Sequence, residues 1–281
     1  MTSLKAISAL TIVCGFFAVS LCILPIFEGR CQAGRQKSVE AVKKTQEEFV
    51  LQLRRFSSSS DPVLALSSIN CLRELCKSKD EHLRLVASEQ FLEFERASLN
   101  HLDQLIQDGK LSADCANSES SLLEAVSLVF QKTAITKEDL ICLQAFQNLQ
   151  SLAFLEIEEF DTEAIAWVSK LPELCSLTFE EVNLESVKFT GMKLPQLGTL
   201  FLTGSTIGDV EIQTLKFAKF PTLDGIYINE TKVSDEGLEL LGRFVYKFPK
   251  LRYLDVSGSL ITSKSVKAFS TEYKRISVTN E

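Results

Sequence analysis

Eight cysteines, two histidines and two runs of glutamate are the side chains of this chain whose types could do metal, redox or acid–base chemistry. The cysteines are Cys14, Cys22, Cys31, Cys71, Cys76, Cys115, Cys142 and Cys175. Their spacings neither repeat nor form the Cys-x-x-Cys pairs that a zinc site or a dithiol motif requires. A chain of 281 residues can build its own core, so a disulfide framework is not expected, with single bridges left open. Histidine-based metal or general-base chemistry has only His82 and His101 to draw on. Glu156, Glu158 and Glu159 form one acidic run, and Glu180 with Glu181 another. Nothing beside them implies the desolvation that tunes a carboxylate for catalysis, and they read as solvated turns. The chain lacks a nucleophile elbow, a phosphate-cradling glycine loop and a metal-ligand cluster. No catalytic, cofactor-binding or metal-binding residue is assigned, and neither a cofactor nor an enzyme activity is expected.

The chemistry that remains is recognition by aromatic side chains, and a repeated phrase decides where those side chains stand. Four of the six prolines lie in Lys170-Leu171-Pro172-Glu173-Leu174, Lys193-Leu194-Pro195-Gln196-Leu197, Lys219-Phe220-Pro221-Thr222-Leu223 and Lys247-Phe248-Pro249-Lys250-Leu251, phrases that start 23, 26 and 28 residues apart. Each closing leucine opens an apolar set at offsets 0, 3 and 5: Leu174/Leu177/Phe179, Leu197/Leu200/Leu202, Leu223/Ile226/Ile228 and Leu251/Leu254/Val256. Residues two apart share one face of a strand, and the leucine at offset 0 turns inward from the entering bend. Offset 10 closes the unit with Leu184, Ile207, Val233 and Ile261, as in Thr231-Lys232-Val233-Ser234-Asp235. An amphipathic helix then returns to the next phrase, marked in one unit by Leu238, Leu241 and Val245, and Trp167 is read as packing on another such helix. Degenerate units start at Leu149 and near Ala125, and Tyr273, Ile276 and Val278 read as a last strand. One unit cannot bury its strand face alone, so the units must stack.

These phrases over residues 125–281 resemble the leucine-rich repeat family in its ribonuclease-inhibitor-like variety. The resemblance implies an α/β fold, a curved solenoid with a parallel sheet on its concave side, and a surface used to hold a protein partner. On such strands the side chains at offsets 2, 4 and 6 point outward. Offset 4 holds Ala153, Thr178, Phe201, Tyr227, Asp255 and Ser277, while offset 2 holds Ser151, Ser176, Thr199, Gly225, Tyr253 and Arg275. Phe201, Tyr227 and Tyr253, with Asp255 beside them, are the candidate partner-binding residues, because clustered exposed aromatics anchor protein recognition. The alternative is that the rings cover the sheet by cross-strand packing or meet the N-terminal helices.

The elements ahead of the repeats decide where such a module would work. Ala6–Phe27 carries no charge over 22 residues, a length of about 33 Å as a helix, enough to span a bilayer core. A retained transmembrane anchor is expected; a cleaved signal peptide followed by secretion is the alternative, but no small-residue cleavage site follows. Lys5 on one flank against Arg30, Arg35 and Lys37 on the other leans the body to the cytoplasmic side. Residues 1–60 hold 8 Lys+Arg against 4 Asp+Glu, and residues 61–281 hold 22 against 33, so the acidic body argues against a nucleic-acid partner.

Val39, Val42, Gln46, Phe49, Leu53 and Phe56 form a heptad stripe. It reads either as a stalk that self-associates through residues 37–56, with Gln46 setting register, or as a helix packed on its own body. Asp61-Pro62 and Asp80 start two further helices, the second stopping at Asp108-Gly109. The expected organisation is an anchor over 1–30, a stalk helix and serine linker over 31–60, a helical hairpin over 61–118 and the repeats over 119–281.

Overall fold

The computed structural model describes residues 32–57, 62–115, 122–146, 148–161, 165–169 and 171–280. The anchor expected over residues 1–30 lies outside them, and among the described residues no helix is long and apolar enough to cross a membrane. The chain divides into two compact units, one ending at Arg96 and one running from Ala97 to Glu281.

In the first unit, α1 (Gln32–Ser57) packs against α2 (Pro62–Leu75), and α3 (Glu81–Gln107) contributes its residues up to Arg96. Among the described residues, Val50, Leu53, Ile69, Leu72, Leu83, Ala87, Phe91 and Phe94 are buried apolar side chains of this unit. Of the heptad stripe, Gln46 and Leu53 are buried and Val39 stays exposed. The Gln46 amide donates to Asp80 Oδ2 at 3.2 Å within the same unit. The polar position that a self-associating stalk would use to set register is thus satisfied internally, and the self-association offered as one reading of residues 37–56 draws no support from this packing.

Asp80 ends the connection before α3, its Oδ1 accepting the Leu83 backbone N–H at 3.0 Å. That bond first, and the Gln46 amide after burial has acted against it, hold the Asp80 carboxyl below its ordinary range. A depressed folded-state pKa supplies stability that is present above the unfolded value and lost as pH falls through the folded one, here below about pH 4. Asp80→Ala should lower urea stability by about 1 kcal/mol at neutral pH, as loss of a helix cap does. The deficit against wild type should shrink as the buffer is acidified through that range; a pH-independent deficit would show that the ionised carboxylate is not what caps the helix.

The second unit is an α/β stack with one eight-stranded sheet in sequential order. Its strands are β1 (Leu111–Cys115), β2 (Ala125–Gln131), β3 (Ser151–Leu155), β4 (Ser176–Glu180), β5 (Thr199–Phe201), β6 (Gly225–Tyr227), β7 (Tyr253–Asp255) and β8 (Ser277–Thr279). β1 pairs antiparallel with β2, and every later neighbour pairs in parallel. The β1 segment lies inside the range read from sequence as a helical hairpin; Leu111, Ala113 and Cys115 alternate with Ser112 and Asp114, but the run is only five residues long and follows directly on the Asp108-Gly109 helix stop.

The register aligns Leu128, Leu152, Leu177, Leu200, Ile226, Leu254 and Val278 in one row, and all but Val278 are fully buried. Val278 therefore occupies offset 3 of its unit, not offset 5. The last strand is displaced by two positions from the sequence expectation, so Ser277 stands beside Tyr253 and Thr279 beside Asp255. The reason is where the turn closes: Ile276, three residues after Tyr273, bonds the Tyr273 carbonyl as Leu251 bonds Phe248, and Ser277 enters the ladder one residue after it, where Tyr253 enters two residues after Leu251.

The repeated proline phrases lie just ahead of β4, β5, β6 and β7. The N–H groups of Leu197, Leu223 and Leu251 return to the carbonyls of Leu194, Phe220 and Phe248 across Pro195, Pro221 and Pro249, with proline at the position where its locked φ suits a β-turn. At the other end of the strands, Lys132, Glu156, Glu181, Gly204, Glu230 and Gly258 all take positive φ, so the chain bends at the same step of each unit. Returning segments are α4 (Lys137–Cys142), α5 (Ile165–Val168), α6 (Asp209–Thr214), α7 (Asp235–Phe244) and α8 (Ser263–Glu272). The unit between β4 and β5 has no helix. It crosses through turns that include Ser186 and Gly191 at positive φ and buries Val187, Phe189 and Met192 instead. Trp167 is wholly buried on α5.

The Thr/Ser-Asp phrase at the start of the returning helices joins one repeat to the next. Asp209 accepts from the Ser234 N–H (2.8 Å) and hydroxyl (2.6 Å), and Asp235 accepts from the Thr262 N–H (2.7 Å) and hydroxyl (2.9 Å). The Thr262 backbone bond, ahead of its hydroxyl, holds the Asp235 carboxyl below its ordinary range.

Candidate functional site

On a parallel sheet whose inward rows are filled by leucine and phenylalanine, the intervening positions must face away from the core. In register, Ala153, Thr178, Phe201, Tyr227, Asp255 and Thr279 form one outward row, and Ser151, Ser176, Thr199, Gly225, Tyr253 and Ser277 form the row below. Small hydroxyl residues occupy the early strands and rings the later ones, so the aromatic surface is confined to β5–β7.

Phe201 and Tyr227 are direct ladder partners, and their rings stack with centroids 4.4 Å apart at 23°. Both are half-exposed. Gly225 makes this stack possible: a Cβ there would stand 2.9 Å from Cε2 of Tyr227, so the tyrosine ring lies over the glycine backbone. Tyr253 stands in the lower row next to Gly225, two residues before the position opposite Tyr227, and is 47% exposed. Its ring lies beneath the Arg252 guanidinium at 5.6 Å. Arg252 is clamped by both oxygens of Asp224, which raise its pKa further above the ordinary value. Asp255 stands opposite Tyr227, but its Oδ1 accepts both the Ser257 N–H (3.0 Å) and hydroxyl (2.6 Å). The carboxylate is thereby an element of its own turn as well as a surface charge, a role that Asp-x-Ser signals in sequence and that the strand reading missed. Thr203 and Asn229 join across the next outward position at 3.0 Å.

The groups singled out for chemistry lie elsewhere. Glu156 and Glu181 sit at the positive-φ bends, with Lys132 3.5 Å from Glu156. His101 Nε2 lies 2.7 Å from Asp139 Oδ1, while the Thr136 hydroxyl donates to Oδ2 of the same carboxylate at 2.6 Å. In a nucleophilic triad the hydroxyl would meet the imidazole; here both meet the aspartate, which closes a capping box at the start of α4. His82 Nε2 is 3.1 Å from Glu47 without hydrogen-bond geometry. Cys76 and Cys175 are free thiols, and among the described residues no group of three or more histidine, cysteine, aspartate or glutamate side chains is placed to hold a metal ion.

No family model matches the chain, and no curated protein matches it. Solved structures similar to it include a Bacteroides fragilis protein, at 12% identity over 69% of this chain and 83% of that one, with a TM-score of 0.27. An internalin of Listeria monocytogenes is similar at 13% identity over 67% of this chain and 73% of that one, also with a TM-score of 0.27. The leucine-rich-repeat-like character of the second unit rests on its own register: parallel strands β2–β8 in sequence order, one buried leucine row and proline turns ahead of β4–β7.

Proposed function

We propose that this chain is a membrane-held binding protein, without enzymatic activity, whose repeat unit captures a protein partner on the outward face of its sheet. The observation that carries the reading is the stacked pair Phe201–Tyr227 beside the exposed Tyr253, three rings gathered on consecutive strands of a surface whose other positions are mostly small residues. Rigid aromatics bring large contact area at small entropic cost and form the centres of protein interfaces. Anchoring by Ala6–Phe27, with the repeats on the cytoplasmic side, belongs to the same reading and draws on the uncharged stretch and the flanking basic residues.

Phe201→Ala with Tyr227→Ala should abolish partner cross-links formed in intact membranes while costing only the stack itself, about 1 kcal/mol and so a few degrees in Tm. Gly225→Ala should weaken the same cross-links by pushing the Tyr227 ring off its seat with both rings retained. Cross-linking that survives both changes would remove the aromatic face from consideration. Release of the chain by alkaline wash would dispose of the anchor, and protease protection in sealed membranes reads the side on which the repeats lie.

A further inference from the structure

Residues 97–281 carry 17 Lys+Arg against 26 Asp+Glu, a net charge of −9, yet one margin of this unit is basic. The proline turns and helix ends bring cations together across repeats there. Lys193 and Lys219 face each other in a parallel bridge, the Lys247 ammonium donates to the Lys216 carbonyl at 2.7 Å, and Arg275 donates to the Pro249 carbonyl at 3.0 Å. Between the cations stand Phe217, 54% exposed, and Tyr246, 71% exposed. With Lys216, Lys247 and Arg243 they line one shallow groove of about 340 Å³, and the Lys216 ammonium sits 4.7 Å from the Phe217 ring centre. Arg243 is partly neutralised by Glu239 at 2.6 Å, so Lys216 and Lys247 carry the charge of the patch.

We infer that this margin docks on an anionic lipid surface, with Phe217 and Tyr246 entering the headgroup layer and Lys216 and Lys247 meeting lipid phosphates and carboxylates. Charge complementarity supplies the first argument, because an acidic unit is repelled by such a surface everywhere except at a basic patch. Residue type supplies the second. Lysine is depleted at protein–protein interfaces, whereas lysine interleaved with exposed aromatic rings is the composition of segments that lie in the membrane interface. The preference for lipid over an acidic protein also rests on the membrane-held reading above, which keeps this margin within reach of a bilayer.

The full chain, reconstituted in phosphatidylcholine vesicles containing phosphatidylserine and a brominated lipid, tests it. The native tryptophan, Trp167, is buried in the repeat core and provides an unquenched background. Tyr246→Trp or Phe217→Trp should give an indole that bromine quenches, and Tyr253→Trp on the sheet face should not. Lys216→Glu with Lys247→Glu should weaken this contact at least about 25-fold in lipid titration, at roughly fivefold per cation removed, and omission of phosphatidylserine should do the same. Absence of quenching at both positions overturns the inference whether or not the chain resists alkaline extraction, and extraction alone judges the anchor. A photo-cross-linker at position 246 that couples to an acidic protein instead of lipid in native membranes overturns it as well.

Discussion

Phe154→Ala is expected to destabilise the repeat unit by about 3–5 kcal/mol, a fall of roughly 10–15 °C in Tm for a unit of this size. Phe154 is fully buried in the middle of a column, with the Phe130 ring 5.5 Å away and the Phe179 ring 5.2 Å away, both nearly parallel to it. Phe160 meets it edge-on at 5.2 Å. Truncation would leave a cavity walled by three rings that are themselves fixed on separate strands and bends, so collapse into it is hindered. Phe154→Leu keeps most of the volume and should cost less than half as much. Phe217→Ala, at an exposed position, should stay within about 0.5 kcal/mol. Urea denaturation of the three variants provides the ranking, and a loss below about 1 kcal/mol for Phe154→Ala would show that the column is not the core of the stack.

Gly237→Ala should be nearly as damaging, and its sign is opposite to what helix propensity implies. Alanine in the interior of an exposed helix is favoured over glycine by about 1 kcal/mol. Gly237 lies in α7, however, where a Cβ would collide with Oδ1 of Asp209 and stand 2.6 Å from Cγ1 of Val233. The collision strikes the carboxylate that receives both the N–H and the hydroxyl of Ser234, so relief by moving Asp209 would unmake the link between neighbouring repeats. Overpacking and the lost bonds together should cost about 3 kcal/mol or more. Gly198→Ala is the matched control, since its nearest contact would be the Cys175 carbonyl at an ordinary 3.6 Å. Calorimetry that finds Gly237→Ala as stable as wild type would show that Asp209 is free to move without consequence.

The repeat architecture was legible because its signals are local. A proline turn, a leucine at its close and two apolar positions two residues apart each describe a few consecutive residues, and stacking copies them through residues 125–256 with the alignment expected. Legibility failed where local signals thin out. β1 alternates over five residues only, the β4–β5 connection replaces a helix by turns, and the final strand starts two positions later than read because the turn before it closes at Ile276 and not at Tyr273. The same limits apply to the candidate face. Strand alternation places Phe201, Tyr227 and Tyr253 outward, but alternation is silent on which rings meet.

By itself the amino-acid sequence determined the periodicity, the inward rows, the proline turns and the outward direction of the three aromatics, since each follows from backbone geometry over a few residues. Tertiary structure alone decided that Phe201 and Tyr227 stack over Gly225 while Tyr253 turns to Arg252, and that Gln46 is bonded to Asp80 within its own unit. It alone gathered Lys216, Phe217, Tyr246 and Lys247 into one basic, aromatic margin. Phe201 and Tyr227 lie 26 positions apart, Gln46 and Asp80 34, and Lys216 and Lys247 31, and whether two such side chains touch depends on the register and spacing of whole repeats and helices, which no short stretch of sequence encodes.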